Sequence, residues 1–233
     1  MTLPIPAVYL GDNGKRMSLK QRFTEDDLTR IKAAVKEVEN KVSGEIVPVF
    51  VEKSGHYTLA NYRGAMILAA FTFILIVVFD RYVLSLAVND PLMIFILVVL
   101  GGVAGAFITH YVEPVKYWLL SQFHLDQSTR KRAESAFLEE EVFNTRHRTG
   151  ILIFVSFFEH EVIVMADRGI SKVVEQKEWD KIVDHINDYV SKNNATEGIL
   201  WAIQRCGEVL LEKGFAKSKD DVNELRDDLR LDK

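Results

Sequence analysis

The apolar positions along this chain fall into three rhythms. Leu28, Ile31, Val35, Val38 and Val42 recur at spacings of three and four, the stripe of a helix with one buried face. Thr24, followed by Glu25, Asp26 and Asp27, predicts the start of that helix; Phe23 is placed to staple onto Leu28, and Ser43-Gly44 predicts the stop. Residues 45–52 are rich in β-branched side chains and predict a strand. Pro48 has no N–H to give a ladder, which argues for an edge position or an irregularity there.

The second rhythm is no rhythm at all. Residues 64–79 and 92–112 are uncharged and almost wholly apolar. Crossing a bilayer's hydrocarbon layer takes about 20 such residues as helix. The second run is long enough alone. The first extends to about residue 84 when Arg81 snorkels toward the headgroups. Asn89-Asp90-Pro91 breaks the pattern, so spans of about 64–84 and 92–112 predict an antiparallel transmembrane hairpin. Gly101 and Gly105 share one helix face and predict close helix–helix packing in lipid. Tyr62, Tyr82, Tyr111 and Trp118 stand near the ends, where amphipathic rings favour the interface.

After the hairpin, residues 126–143 read as a helix with Ala133, Ala136 and Phe137 inward. Residues 150–158 are nearly continuous in apolar character, the mark of a central strand, and Glu159-His160 turns them into a second strand at 161–166. Two further helical stripes follow: Trp179, Ile182, Val183, Ile186 and Val190, then Ile199, Ile203, Cys206 and Leu210. The tail from 215 to 233 is charged and reads as loosely held.

A lone strand at 45–52 is not stable by itself, so it is expected to join the strands at 150–158 and 161–166. This makes residues 23–60 and 126–214 one split domain, with 1–22 as a tail and the 61–125 hairpin as an insertion. Both halves then lie on one side of the membrane, which two spans permit.

Composition narrows the function without naming it. The chain of 233 residues carries a net charge of −4, so no broad basic surface for nucleic acid is implied. A single cysteine excludes an internal disulfide and a thiolate zinc cluster. The first 22 residues lack the order of a signal peptide. Lys53, Arg63, Lys116, Arg130, Lys131 and Arg132 flank the hairpin, whereas its connection holds Arg81 beside Asp80 and Asp90. The positive-inside rule therefore predicts a multi-pass protein of the cell (inner) membrane with its soluble domain in the cytoplasm.

Several segments, taken in order, resemble the TPM domain family. They are Thr24-Glu25, Ser43-Gly44-Glu45-Ile46-Val47, Arg132-Ala133-Glu134 leading to Phe137, Thr149-Gly150-Ile151-Leu152-Ile153, and Ala166-Asp167-Arg168-Gly169-Ile170. Asp220-Asp221-Val222-Asn223-Glu224-Leu225 is similar to the close of members that carry membrane spans. The resemblance implies an α/β fold, a three-layer α/β/α sandwich on a short mixed sheet, here with the transmembrane hairpin inserted. It also implies calcium as a cofactor for some members, a modest acid phosphatase activity in plant relatives, and assembly or repair roles in others. Where many members continue with Gly-Tyr-Gly-Leu-Glu-Gly, this chain has Asp167-Arg168-Gly169-Ile170-Ser171-Lys172, a departure at the family's glutamate.

The candidate chemistry is sparse. Asp167 and Arg168 follow a strand end, where Arg168 is a candidate to hold phosphate and Asp167 to hold a hard cation. Glu159 and Glu161, alternating about a turn, are weaker metal candidates. Arg146-His147-Arg148 reads as a basic loop, Cys206 as core, and His110 as a hydrogen-bonded residue at a span's end. There is no phosphate-cradling glycine loop and no nucleophile elbow. The expectation is a membrane-anchored interaction, assembly or envelope-homeostasis module whose partners are the lipid bilayer and another membrane or envelope protein. The alternative is a divalent-metal-dependent enzyme of the acid phosphatase kind.

Overall fold

The computed structural model describes residues 19–82, 90–192, 194–217 and 224–232. Most of the amino-terminal tail, the link between the two apolar runs and the Asp220–Asn223 segment lie outside the described residues. In chain order the helices are α1 (Leu19–Arg22), α2 (Glu25–Glu39), α3 (Thr58–Tyr82), α4 (Pro91–Tyr111), α5 (Glu113–Leu119), α6 (Gln122–Glu139), α7 (Arg168–Ser171), α8 (Gln176–Ser191) and α9 (Ala195–Glu212). The strands are β1 (Glu45–Val51), β2 (Gly150–Ser156), β3 (Glu161–Ala166) and β4 (Arg230–Asp232). The chain forms two compact units, one from the residues up to Ser54 and from Asp126 onward, the other from Gly55 to Leu125.

The first unit is organised on a mixed sheet of order β3-β2-β1-β4. β1 lies parallel to β2, with Ile46 opposite Ile151 and Phe50 opposite Val155, while β2 and β3 form an antiparallel hairpin. Every residue of β1 and β2 is buried, as apolar strands covered on both faces should be. Ile46, Phe50, Ile151 and Ile153 share one core with Ile31 and Val35 of α2, Ile182 of α8 and Ile203 of α9. Val47, Val49, Leu152 and Phe154 share the other with Ala133 and Ala136 of α6. Helices thus cover both faces, and the unit is a three-layer α/β/α sandwich.

Local chemistry sets the helix boundaries. Thr24 caps α2: its hydroxyl accepts from Asp27 N–H at 3.2 Å, and the Asp27 carboxylate accepts from Thr24 N–H at 2.9 Å, a reciprocal capping box. Phe23 is buried beside Phe50 and Phe157, ring centroids 4.9 and 6.1 Å away, so it anchors the helix start to the sheet. The helix expected over 126–143 instead runs Gln122–Glu139. The chain then turns at Glu141 (φ 53°), and Val142 is still buried in the α6-side core.

Two expectations are corrected. The tail after Phe215, read from its charge as loosely held, supplies the fourth strand: β4 pairs with Val49–Val51 of β1. It is fastened by Arg230 on Glu140 at 2.8 Å and by Asp228 on Lys32 at 2.7 Å, and the Glu45 carboxylate accepts from the backbone of Glu224 and Leu225. Consequently β1 is not an edge strand along its whole length, although Pro48 suggested it. Glu45 N–H donates to Thr149 O on the β2 side, and Ile46 N–H donates to Glu39 Oε1. Since donors alternate along a strand, the Pro48 nitrogen faces away from β2, and β4 begins pairing only at Val49. No ladder bond is lost.

In the second unit, α3 and α4 pack as an antiparallel pair. A Cβ placed on Gly105 would lie 2.3 Å from Gly64 O, and one on Gly64 would lie 2.0 Å from Thr109 Oγ1. Gly101 meets Thr72 in the same way, its Cβ position 2.3 Å from Thr72 Oγ1. Arg63 Nη1 donates to Leu119 O at 2.7 Å, and Asn61 Nδ2 lies 3.5 Å from His110 Nδ1. Both helices are long and apolar enough to cross a membrane, yet only 6% and 11% of their most apolar windows are buried. Core helices of a soluble protein would be mostly buried. Here the large side chains face outward, among them Met66, Phe71, Ile74, Phe95, Val103 and Phe107.

Two outcomes follow. Ile46 is fully buried, so Ile46→Ala should lower stability by about 2–5 kcal/mol, read from the urea unfolding midpoint by tryptophan fluorescence. Gly105→Leu should force α3 and α4 apart, seen as faster proteolysis of the hairpin in detergent while the Ile46-sensitive transition stays unchanged.

Candidate functional site

The parallel strands β1 and β2 deliver their carboxyl ends to one place, the usual location of ligand contacts in α/β sheets. There the four-residue turn 157–160 joins β2 to β3, with His160 in the left-handed conformation (φ 53°), as longer hairpin loops often require. Glu159 is buried and accepts from Ser54 N–H at 2.9 Å and from the Ser156 hydroxyl. Ser54 Oγ lies 2.8 Å from Ser156 Oγ, so two hydroxyls and one carboxylate form a chain that holds the exit of β1 to the end of β2.

Glu161 opens β3 beside this chain. Burial pushes its carboxyl up to about 7, with repulsion from Asp126 and Glu159 adding to the shift and a hydrogen bond with Thr129 opposing it. Its Oε2 is buried without a hydrogen-bond partner. His160 is shifted downward by burial and by the Arg22 guanidinium, which also lies 5.1 Å over the Phe157 ring. The structure therefore does bring Glu159 and Glu161 together.

Asp167 and Arg168 belong to the other end of β3. Glu161 is the first of the six residues of β3 and Asp167 follows the last, a path of about 20 Å at ~3.3 Å per residue, so the two pairs do not share a ligand. Asp167 caps the short α7: Oδ1 accepts from Arg168 N–H at 2.6 Å, and Oδ2 sits 2.9 Å from Arg148 Nε in an off-axis ion pair. Arg148 is in the left-handed region (φ 57°), and its carbonyl accepts from Gly169 N–H at 2.9 Å. Only glycine fits at 169, because a Cβ would lie 2.5 Å from Arg148 O and 2.6 Å from His147 O. Thus Arg148 of the basic loop is bound to the Asp167 turn, while Arg168 is exposed. Among the described residues, no three His, Cys, Asp or Glu side chains are grouped to hold a metal ion. Cys206 is buried in the α9 core, and burial pushes its thiol up to about 12.

One acidic group escaped the sequence reading. Glu39 is buried, accepts from Ile46 N–H at 2.9 Å, and makes a side-chain hydrogen bond with Asp227 that favours its own protonated, donating form. Burial, with repulsion from Glu45, pushes its carboxyl up to about 9. The signal was present: Ile31, Val35 and Glu39 are spaced by four, which places Glu39 on the buried stripe of α2.

The fold and the connection between its strands define a mixed α/β/α sandwich interrupted by an apolar helical hairpin. Residues 120–209 match the family model described as TPM domain. The NMR structure of the BA42 protein from the psychrophilic bacterium Bizionia argentinensis has the same fold, with a TM-score of 0.56 and 19% identity, covering 92% of this chain and 99% of that one. No curated protein sequence matches the chain.

The carboxyls set a pH dependence. Both Glu39 and Glu161 keep their protons more tightly folded than unfolded, from an ordinary value of 4.5. Their stabilisation is therefore complete below the ordinary carboxylate range and is lost as pH rises through the folded values, at most about 1.4 kcal/mol per pH unit for each group. Unfolding midpoints should fall between pH 5 and pH 9, and Glu39→Gln should flatten the part of that slope above pH 7. Asp167→Ala should lower stability by about 0.5–2 kcal/mol through loss of the cap, measured with and without calcium. Equal losses in both conditions identify a structural turn, whereas a calcium-dependent stabilisation present only with Asp167 identifies a cation ligand.

Proposed function

We propose that this protein is a membrane-anchored TPM domain protein that serves as an interaction or assembly module for another membrane or envelope protein. One observation carries the reading. The chain joins a complete α/β/α domain to a hairpin whose large apolar side chains face outward, a surface that water does not tolerate and lipid does. Tyr62, Tyr82 and Tyr111 are exposed toward the ends of the hairpin helices and Trp118 is exposed on α5, in keeping with rings at the two interfaces. The candidate carboxylates support the same reading, since Asp167 and Glu159 are engaged in holding turns in place.

On this reading the hairpin spans the bilayer twice and both segments of the α/β/α domain face the cytoplasm. Support comes from Lys53, Arg63, Lys116 and Arg130–Arg132 on the flanks, against Arg81 with Asp80 and Asp90 near the connection. Cysteines introduced at the exposed positions Lys177 and Lys192, in a Cys206→Ala background, should resist labelling by a membrane-impermeant maleimide until the cells are opened. Labelling of intact cells reverses the orientation. Purified protein in detergent should show no turnover of phosphate esters beyond that of the Asp167→Ala chain. Turnover that needs a divalent cation and vanishes in Asp167→Ala replaces the interaction module with a phosphatase.

A further inference from the structure

The sheet order places β2 on one side of β3 and, among the described residues, no strand on the other. Asp167 N–H donates to Gly150 O at 2.8 Å, and the register pairs Met165 with Leu152 and Ile163 with Phe154. Backbone groups alternate in direction along a strand, so those of Ile163 and Met165 bond to β2, and those of Val162, Val164 and Ala166 point outward. Among the described residues, no turn or loop backbone bonds to these outward groups. The edge is also unblunted. From Val162 to Ala166 it has no proline, no charge and no break in register, whereas the open part of β1 has Pro48 and the Glu39 carboxyl. Val164 and Ala166 on the α8 face, with Ile163 and Met165 on the α6 face, are only half-buried. Both faces of the sheet thus run out in partly covered apolar side chains.

The two ends of this edge differ in charge. At the start of β3 stand Glu161, Asp126 and the buried Glu159, with Arg22 as the cation beside His160. Past its finish, Arg168 and Lys172 are exposed and form no ion pair among the described residues. The acids at that end are engaged, Asp167 by Arg148 at 2.9 Å and Glu175 by Lys177 at 3.0 Å. We propose that the outer edge of β3 receives an extended segment of a partner protein as an added antiparallel strand, apolar along its middle, acidic at its amino end and basic at its carboxyl end. Antiparallel pairing is the more stable per residue, and it sets the amino end beside Arg168 and Lys172 and the carboxyl end beside Glu161 and Asp126. This inference rests on the reading of the protein as an interaction module and names the surface that module would use.

The test uses the full chain in detergent and a fluorescein-labelled peptide, Glu-Glu-Val-Thr-Val-Thr-Val-Lys-Lys, followed by anisotropy. Saturable binding at one site per chain is expected. The charge-reversed peptide, Lys-Lys-Val-Thr-Val-Thr-Val-Glu-Glu, should bind about tenfold more weakly, and Arg168→Glu should weaken the first peptide about threefold. Val164→Pro removes an outward donor and nothing from the β2 ladder, and should weaken binding about tenfold. Val164 also packs on the core, so two measures use the native chain. Hydrogen exchange of the Val164 and Ala166 amides should slow on binding. N-methylation of the peptide's valines and, separately, of its threonines should abolish binding in one case alone, because only alternate residues face β3. No saturable binding, unchanged Val164 and Ala166 exchange, or equal binding by the two methylated peptides overturns the proposal. A charge-reversed peptide that binds as tightly overturns the strand direction. A chain that is a dimer until Val164→Pro makes it a monomer gives the edge to a second copy and overturns the choice of a partner segment. Failure of peptide binding leaves the module reading to its own assays, whereas cation-dependent phosphate-ester turnover removes that reading whatever the peptide does.

Discussion

The parallel pairing of β1 with β2 is the constraint on which the rest of this structure depends. Parallel neighbours cannot be joined by a tight turn; the chain must leave one end of the sheet and return to the other through a crossover. Here that crossover contains α6, and ahead of α6 it also contains the whole hairpin unit. The pairing at Ile46–Ile151 through Val51–Ser156 therefore closes a loop of nearly a hundred residues. Closure entropy rises only with the logarithm of loop length, so an insertion of this size adds little to the penalty a bare crossover already carries.

The same constraint explains which parts of the fold were legible from sequence. Ile46 and Phe50 alternate with Val47, Val49 and Val51, and both sets are apolar, which is how a doubly covered strand announces itself. The stripes of α2, α8 and α9 were equally clear because each helix buries one face. β4 was not legible. Arg230-Leu231-Asp232 is too short and too charged to show a strand period, and what makes it a strand is the vacant edge of β1 from Val49 onward. The end of α6 was misplaced for a related reason. Val142 is apolar and buried, but it reaches the core through a left-handed turn at Glu141, and no helical period encodes that.

Site residues divide in the same manner. Asp167-Arg168-Gly169 stood out because it follows a strand, yet the partner that defines Asp167 is Arg148, nineteen positions earlier in a loop whose conformation sequence spacing does not reveal. Glu159 and Glu161 were visible as a pair, but Ser54, Thr129 and Asp126, which set their environment, are brought to them only by tertiary folding. Polar groups of this kind are buried because the backbone needs them. Glu39 supplies an acceptor for Ile46 N–H, and Glu45 supplies acceptors for Glu224 and Leu225, at places where no strand is available to do so.

Pro48 has a consequence beyond its own missing donor. An exposed stretch of strand backbone is a template on which another chain can build, and proteins blunt such edges to stay separate. β4 shields only the last three residues of β1. Along the half it leaves open, Glu39 occupies the Ile46 donor and Pro48 offers none, so a foreign strand approaching there meets no ladder to join. A proline that looked like a flaw in a central strand acts as a guard against unwanted self-association along the part of β1 that β4 leaves open.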